Sequence, residues 1–97
     1  NVKHRRRRWS TREQRLWLVE RAYDDKGLIS LVYATTDGST VRRIERAPIA
    51  VERSGGVTAA VDADAEALEP VDDDALRERY AAEATRMAER HDPGETV

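Results

Sequence analysis

Apolar positions in this chain recur at two spacings, and the change from one to the other divides it. Between Trp17 and Val61 the dominant spacing is two, the period of a strand; from Leu76 to Met87 it is three and four, the period of a helix. Leu28–Thr35 is the clearest strand, rich in β-branched and aromatic residues and closed by the turn Thr36-Asp37-Gly38-Ser39. Thr40–Ala47 alternates as a further strand. Pro48 limits ladder pairing there, and Ile49–Glu52 is expected to continue beyond it as an edge or bulged segment. After Ser54-Gly55-Gly56, Val57–Val61 sets Val57, Ala59 and Val61 on one face.

Residues 10–23 support two readings. Ser10 with Glu13 forms a capping-box pattern, and Gly27 is positioned to cap a helix running through Tyr23. Trp17, Val19 and Tyr23 instead follow period two, and Asp24-Asp25-Lys26-Gly27 suits a hairpin loop before the next apolar run. The strand reading is preferred. At the other end, Pro70 and Asp72-Asp73-Asp74 introduce a helix running to about Arg90. Its carboxylates lie at the start, Arg86 and Arg90 lie near the end, and Leu76, Tyr80, Ala84 and Met87 form a narrow apolar stripe. His91-Asp92-Pro93-Gly94 stops that helix.

The expected architecture is α+β: an antiparallel β-meander of four to five short strands packed by one C-terminal helix. Residues 10–91 make a single domain, residues 1–9 a basic flexible arm and residues 92–97 a frayed tail. In the Leu28–Ala34 strand both faces are apolar, with Leu28, Val32 and Ala34 on one side and Ile29, Leu31 and Tyr33 on the other. Such a strand needs cover on both faces, and one helix covers only one. Either residues 10–23 are helical and cover the second face, or a second subunit does, which makes a homodimer an expected partner.

Charge is distributed unevenly: residues 1–23 carry a net +6, residues 24–61 balance, and residues 62–97 carry −8. Such a dipole steers partners without defining a reaction. No run reaches the roughly 20 apolar residues of a membrane span, and no apolar stretch follows the basic cluster, so neither an anchor nor a signal peptide is expected. The absence of cysteine removes disulfides, thiolate metal sites and a cysteine nucleophile. A cytoplasmic location follows as the expectation.

Arginine outnumbers lysine fifteen to two, and acidic residues cluster in surface-like stretches. With this composition, the segments WLVERAYDDKGLISLVYAT from Trp17, VTAAVDADAEALEPVDD from Val57 and RERYAAEATRMAERHDP from Arg77 resemble small uncharacterised haloarchaeal proteins of unassigned function. The resemblance rests on no catalytic motif and implies only a salt-rich setting.

Arg5, Arg6, Arg7, Arg8, Trp9, Arg12 and Arg15, with Trp17 behind them, have the composition of a nucleic-acid contact, cations for phosphates and rings for stacking. A solvated basic tail docking on acidic surface explains the same residues. In molar salt the Debye length falls to about 3 Å, which weakens the phosphate term. Arg42, Arg43, Arg46 and Arg53 extend the basic set, with Glu45 and Glu52 interleaved. Asp62, Asp64, Glu66 and Asp73 take first, third, fifth and twelfth places of an EF-hand-like loop, but Ala67 replaces the required glycine and Pro70 interrupts it. A hydrated acidic surface fits those residues better. His4 and His91 lie near opposite termini without partners at metal-ligand spacing, and no nucleophile-elbow or phosphate-loop pattern occurs. No cofactor, small-molecule substrate or catalytic residue is inferred. The expected function is that of a non-catalytic protein-interaction or self-associating module, with nucleic-acid binding through the arm as the alternative.

Overall fold

A computed structural model describes residues 13–97. Three strands come first: β1 (Glu13–Tyr23), β2 (Ile29–Ala34) and β3 (Thr40–Arg46). A short helix α1 (Pro48–Arg53), strand β4 (Ala60–Asp64), a 3-10 turn at Ala65–Ala67 and the two-residue strand β5 (Glu69–Pro70) follow. Helix α2 (Asp74–Arg90) comes last among these elements. The five strands form one antiparallel sheet in the order β4-β1-β2-β3-β5. The α+β class and the C-terminal helix are therefore as expected. β1 to β3 form the meander, after which the chain crosses back to lay β4 beside β1.

Residues 13–23 are strand, as preferred over helix. The register slips between Leu18 and Glu20, so Val19 forms a bulge at the centre of the sheet. In the β1–β2 turn the Asp24 carboxylate accepts from the backbone N–H groups of Lys26 and Leu28, both at 2.9 Å. In the β2–β3 turn one Asp37 carboxylate oxygen accepts from the Thr35 hydroxyl (2.6 Å), the Ser39 hydroxyl (2.7 Å) and the Ser39 N–H (2.9 Å). These donors hold the Asp37 carboxyl below its ordinary range, with the Thr35 bond the largest cause. Gly38 follows at φ 72, pressed onto α2, where an added Cβ would overlap the Arg77 carbonyl oxygen and approach Ala81 N to 2.8 Å.

Two expectations change. Ile49–Glu52 is helical rather than extended, because Pro48 occupies the first turn of α1, where its missing N–H costs nothing. The tail expected to fray is hydrogen-bonded instead. Ala59 N–H donates to Glu95 O (2.7 Å), Ala60 N–H to Pro93 O (3.0 Å) and Val97 N–H to Val57 O (2.8 Å). His91 stands 2.7 Å from Glu95 and holds that carboxyl below its ordinary value, which fixes the exit from α2. Val57 and Ala59 thus lie in the connection leading to β4.

The core lies on both faces of the sheet. On one face Trp17, Val32, Ala34, Val41 and Ala60 pack with Tyr80 and Ala84 of α2, flanked by Leu76 and Met87, so the predicted stripe is the face that docks. Asp73 caps that helix by accepting from Ala75 N–H. On the other face Leu16, Leu18, Ile29, Leu31 and Tyr33 pack with Val57 and Ala63, and half-buried Ile44, Val51, Val61 and Leu68 adjoin them. Within the chain, cover on this second face comes from two connections, residues 47–59 with α1 and residues 65–68. These connections, rather than a helical segment at residues 13–23, do the covering, so burial of β2 does not by itself call for a second subunit.

Candidate interaction surface

The pleat sorts the charges that sequence leaves interleaved. Register pairs Arg42 with Tyr33, Ile44 with Leu31 and Arg46 with Ile29, all on the second face; Arg43 and Glu45 point to the α2 side with Val32 and Ser30. Following the same alternation through every strand, Glu13, Glu20, Glu45, Asp62, Asp64 and Glu69 share the α2 side. Arg21, Arg42 and Arg46 take the second face, where the described strands carry no carboxylate. Among the described residues Arg42 and Arg46 form no ion pair.

Between that face and the 47–59 connection lies a half-open cleft of about 230 Å³. Leu31, Ile44, Val51, Val57 and Val61 give it an aliphatic lining, and Arg46 stands on its rim. Tyr33, 2% exposed, spans from the sheet to the connection and donates its hydroxyl to Thr58 O at 2.8 Å. Burial raises the phenol pKa, a larger effect than the opposing pull of Arg21 and Arg46 nearby. Ser54 ends α1, and its hydroxyl donates to Val51 O, so the cleft wall is a closed helical turn rather than a loose loop. A second hollow borders Tyr23, which is 75% exposed, with Arg21, Ile29, Val51 and Val57 around it.

Of the predicted nucleic-acid contacts, Arg5, Arg6, Arg7, Arg8, Trp9 and Arg12 lie outside the described residues. Arg15 lies on the α2 side, where its Nε and Nη2 meet the two Asp62 carboxylate oxygens at 2.8 and 3.1 Å. The pairing raises the Arg15 pKa and lowers that of Asp62. Trp17 is buried under α2 and offers no face for stacking. Arg43 approaches Glu69 at 3.9 Å.

The EF-hand-like acids separate on the fold. Asp62 pairs with Arg15, Asp64 accepts from Glu66 N–H to start the 3-10 turn, and Asp73 caps α2. Among the described residues no three His, Asp or Glu side chains gather to hold a metal ion. Nor is any described helix long and apolar enough to cross a membrane.

Residues 10–97 match the model of a family of unknown function, DUF7967. The chain belongs to that family. The DUF7967 match takes in every strand, both helices and the cleft. No curated protein and no solved structure matches the chain.

The cleft, and the separation of Arg42 and Arg46 from the interleaved glutamate onto its face, are what the sequence reading missed. Two signals pointed to them: the Arg42-Ile44-Arg46 alternation, and Pro48 ahead of a run containing alanine, glutamate and arginine, a start suited to a helix.

Proposed function

We propose that this chain is a small non-catalytic module that binds protein through the second face of its sheet. The observation that carries the reading is the cleft, an aliphatic floor joined to unpaired arginines on a face whose strands hold no carboxylate. An aliphatic patch beside cations suits a protein partner, since apolar area supplies affinity and charge supplies selection. The groups with displaced pKa values support the same reading, because each one serves the fold. Asp37 holds a turn, Asp62 and Arg15 form an ion pair, Glu95 fixes the exit from α2, and Tyr33 ties the sheet to the connection.

A photoreactive side chain at Ile49, which is 57% exposed on α1, the helix whose Val51 lines the cleft, tests the reading against one at Glu78 on the exposed side of α2. The expected result is a defined protein crosslinked from position 49 and reproduced with purified components, either another polypeptide or a second copy of this chain. Equal labelling from both positions, with a strict monomer in sedimentation at low and multimolar salt, overturns it. In this reading the module works in the cytoplasm of a halophilic archaeon, supported by the arginine preference and the clustered carboxylates. An unfolding midpoint that rises from 0.1 M to multimolar KCl supports that setting, and one that falls removes it. Of its named contacts the competing nucleic-acid reading keeps Arg5–Arg8, Trp9 and Arg12, since Asp62 engages Arg15 and the core encloses Trp17.

A further inference from the structure

The two edges of the sheet differ. The tail hydrogen-bonds the segment leading into β4, at Val57, Ala59 and Ala60. At the opposite edge β5 pairs with Thr40 and Val41 only, so among the described residues no strand lies along the outer side of β3 from Arg42 to Arg46. Thr35 N–H donates to Thr40 O, which turns the backbone groups of residues 40, 42, 44 and 46 toward β2. Those of Arg43 and Glu45 then face outward.

This edge carries three arginines against one glutamate. A second copy paired along it in antiparallel fashion about Ile44 sets Arg42 against Arg46 twice on the cleft side, where the described strands hold no carboxylate to offset the repulsion, while Arg43 meets Glu45 on the other side. Acidic side chains meet the opposite situation. The cleft, lined in part by Ile44 and Arg46 of this same strand, is smaller than the roughly 300 Å³ at which pockets begin to enclose whole ligands. It suits one inserted aliphatic side chain. A base has nothing to stack on there, because the aromatic side chain in the lining is Tyr33, buried and bonded to Thr58.

We infer that an acidic, extended protein segment adds as a sixth strand along Arg42–Arg46, an inference that rests on the protein-binding reading above. Its backbone bonds to Arg43 and Glu45, its carboxylates meet Arg42 and Arg46, and an aliphatic residue between them packs on Ile44 at the cleft. Main-chain pairing supplies affinity and alternate side chains supply selection, the general mode of strand addition.

The test is a titration of the isotopically labelled full chain, followed by amide resonances and hydrogen exchange. The probes are a seven-residue peptide with Glu at its second and sixth positions, Val at its fourth and Thr elsewhere, so that both acids and the aliphatic residue share one face, the same peptide with Lys for its acids, the same with Ser for its valine, and an oligothymidylate. The acidic aliphatic peptide should move the Arg43 and Glu45 amides and slow their exchange. Arg42→Glu with Arg46→Glu should weaken it roughly tenfold. Glu45→Pro removes one outward N–H without breaking the ladder to β2, and should abolish the slowed exchange while circular dichroism stays unchanged. Equal binding of the lysine peptide overturns the acidic partner, and equal binding of the serine peptide overturns the aliphatic contact at the cleft; either leaves a protein-binding surface standing. Shifts at the cleft without slowed exchange at Arg43 and Glu45 overturn strand addition, and preferential binding of the oligothymidylate overturns a protein occupant at this edge. If no probe moves this face and position 49 crosslinks nothing above position 78, both readings fall together.

Discussion

Replacing Gly38 with alanine tests how the β2–β3 turn is joined to α2. Two penalties combine at this position. The backbone sits at φ 72, where an alanine costs about 1–2 kcal/mol. The added methyl group also meets the Arg77 carbonyl and Ala81 N, both backbone atoms that no rotamer change can move aside. Forcing the turn away from the helix adds about 1–3 kcal/mol, the usual cost of overpacking. The expected loss is therefore about 2–5 kcal/mol, a large share of the roughly 5–15 kcal/mol that holds a small domain together. Gly27 is the control, because its φ of 79 is nearly the same while a Cβ there meets nothing within 4 Å. Gly27→Ala carries only the backbone penalty. Urea unfolding of both variants, with the slope checked for constancy, isolates the turn–helix contact as the difference between them. Equal losses would refute the close approach.

Three further outcomes are expected. Tyr33→Phe keeps the packing but leaves Thr58 O without its donor, so stability in urea should fall by about 0.5–1.5 kcal/mol, and no loss would remove the hydroxyl from the account. Asp37 has a depressed folded pKa, so its contribution is complete above the unfolded value of about 3.9 and disappears as pH falls through the folded value. Asp37→Ala should accordingly flatten the acid limb of stability measured from pH 6 down to pH 2, and an unaltered limb refutes the assignment. Deleting residues 92–97 removes the three backbone bonds at 57–60, with an expected loss of about 2–4 kcal/mol and more self-association in sedimentation than the full chain shows; an unchanged association state would show that the tail guards nothing.

Much of the fold is legible because local chemistry and tertiary packing agree. Leu28–Thr35, the turn at Asp37-Gly38 and the stripe Leu76, Tyr80, Ala84, Met87 each carry a signal that packing leaves unchanged. At residues 10–23 the capping-box pattern competed with period two. Over residues 13–23 the strand prevails because Leu16, Trp17 and Leu18 are all buried, on alternating faces, between β2 and β4. α1 was harder to see, since a six-residue helix with no buried side chain has no amphipathic period to display. The site was least legible. Arg42, Arg43, Glu45 and Arg46 read as a mixed run until the pleat assigns them to faces, and the closure of the cleft depends on a connection whose path no local pattern states.

The placement of β4 beside β1 has a kinetic consequence. β1, β2 and β3 are joined by short turns and can associate as soon as they emerge during synthesis, but Arg15 must wait for Asp62, 47 residues later, before the fourth strand closes on the first. Until then Leu16, Ile29, Leu31 and Tyr33 on one side and Trp17, Val32 and Ala34 on the other have neither connection nor helix over them. Pairings of this sequence separation slow folding. The nascent meander is thus the species most exposed to aggregation, and its survival depends on how quickly the second half of the chain follows.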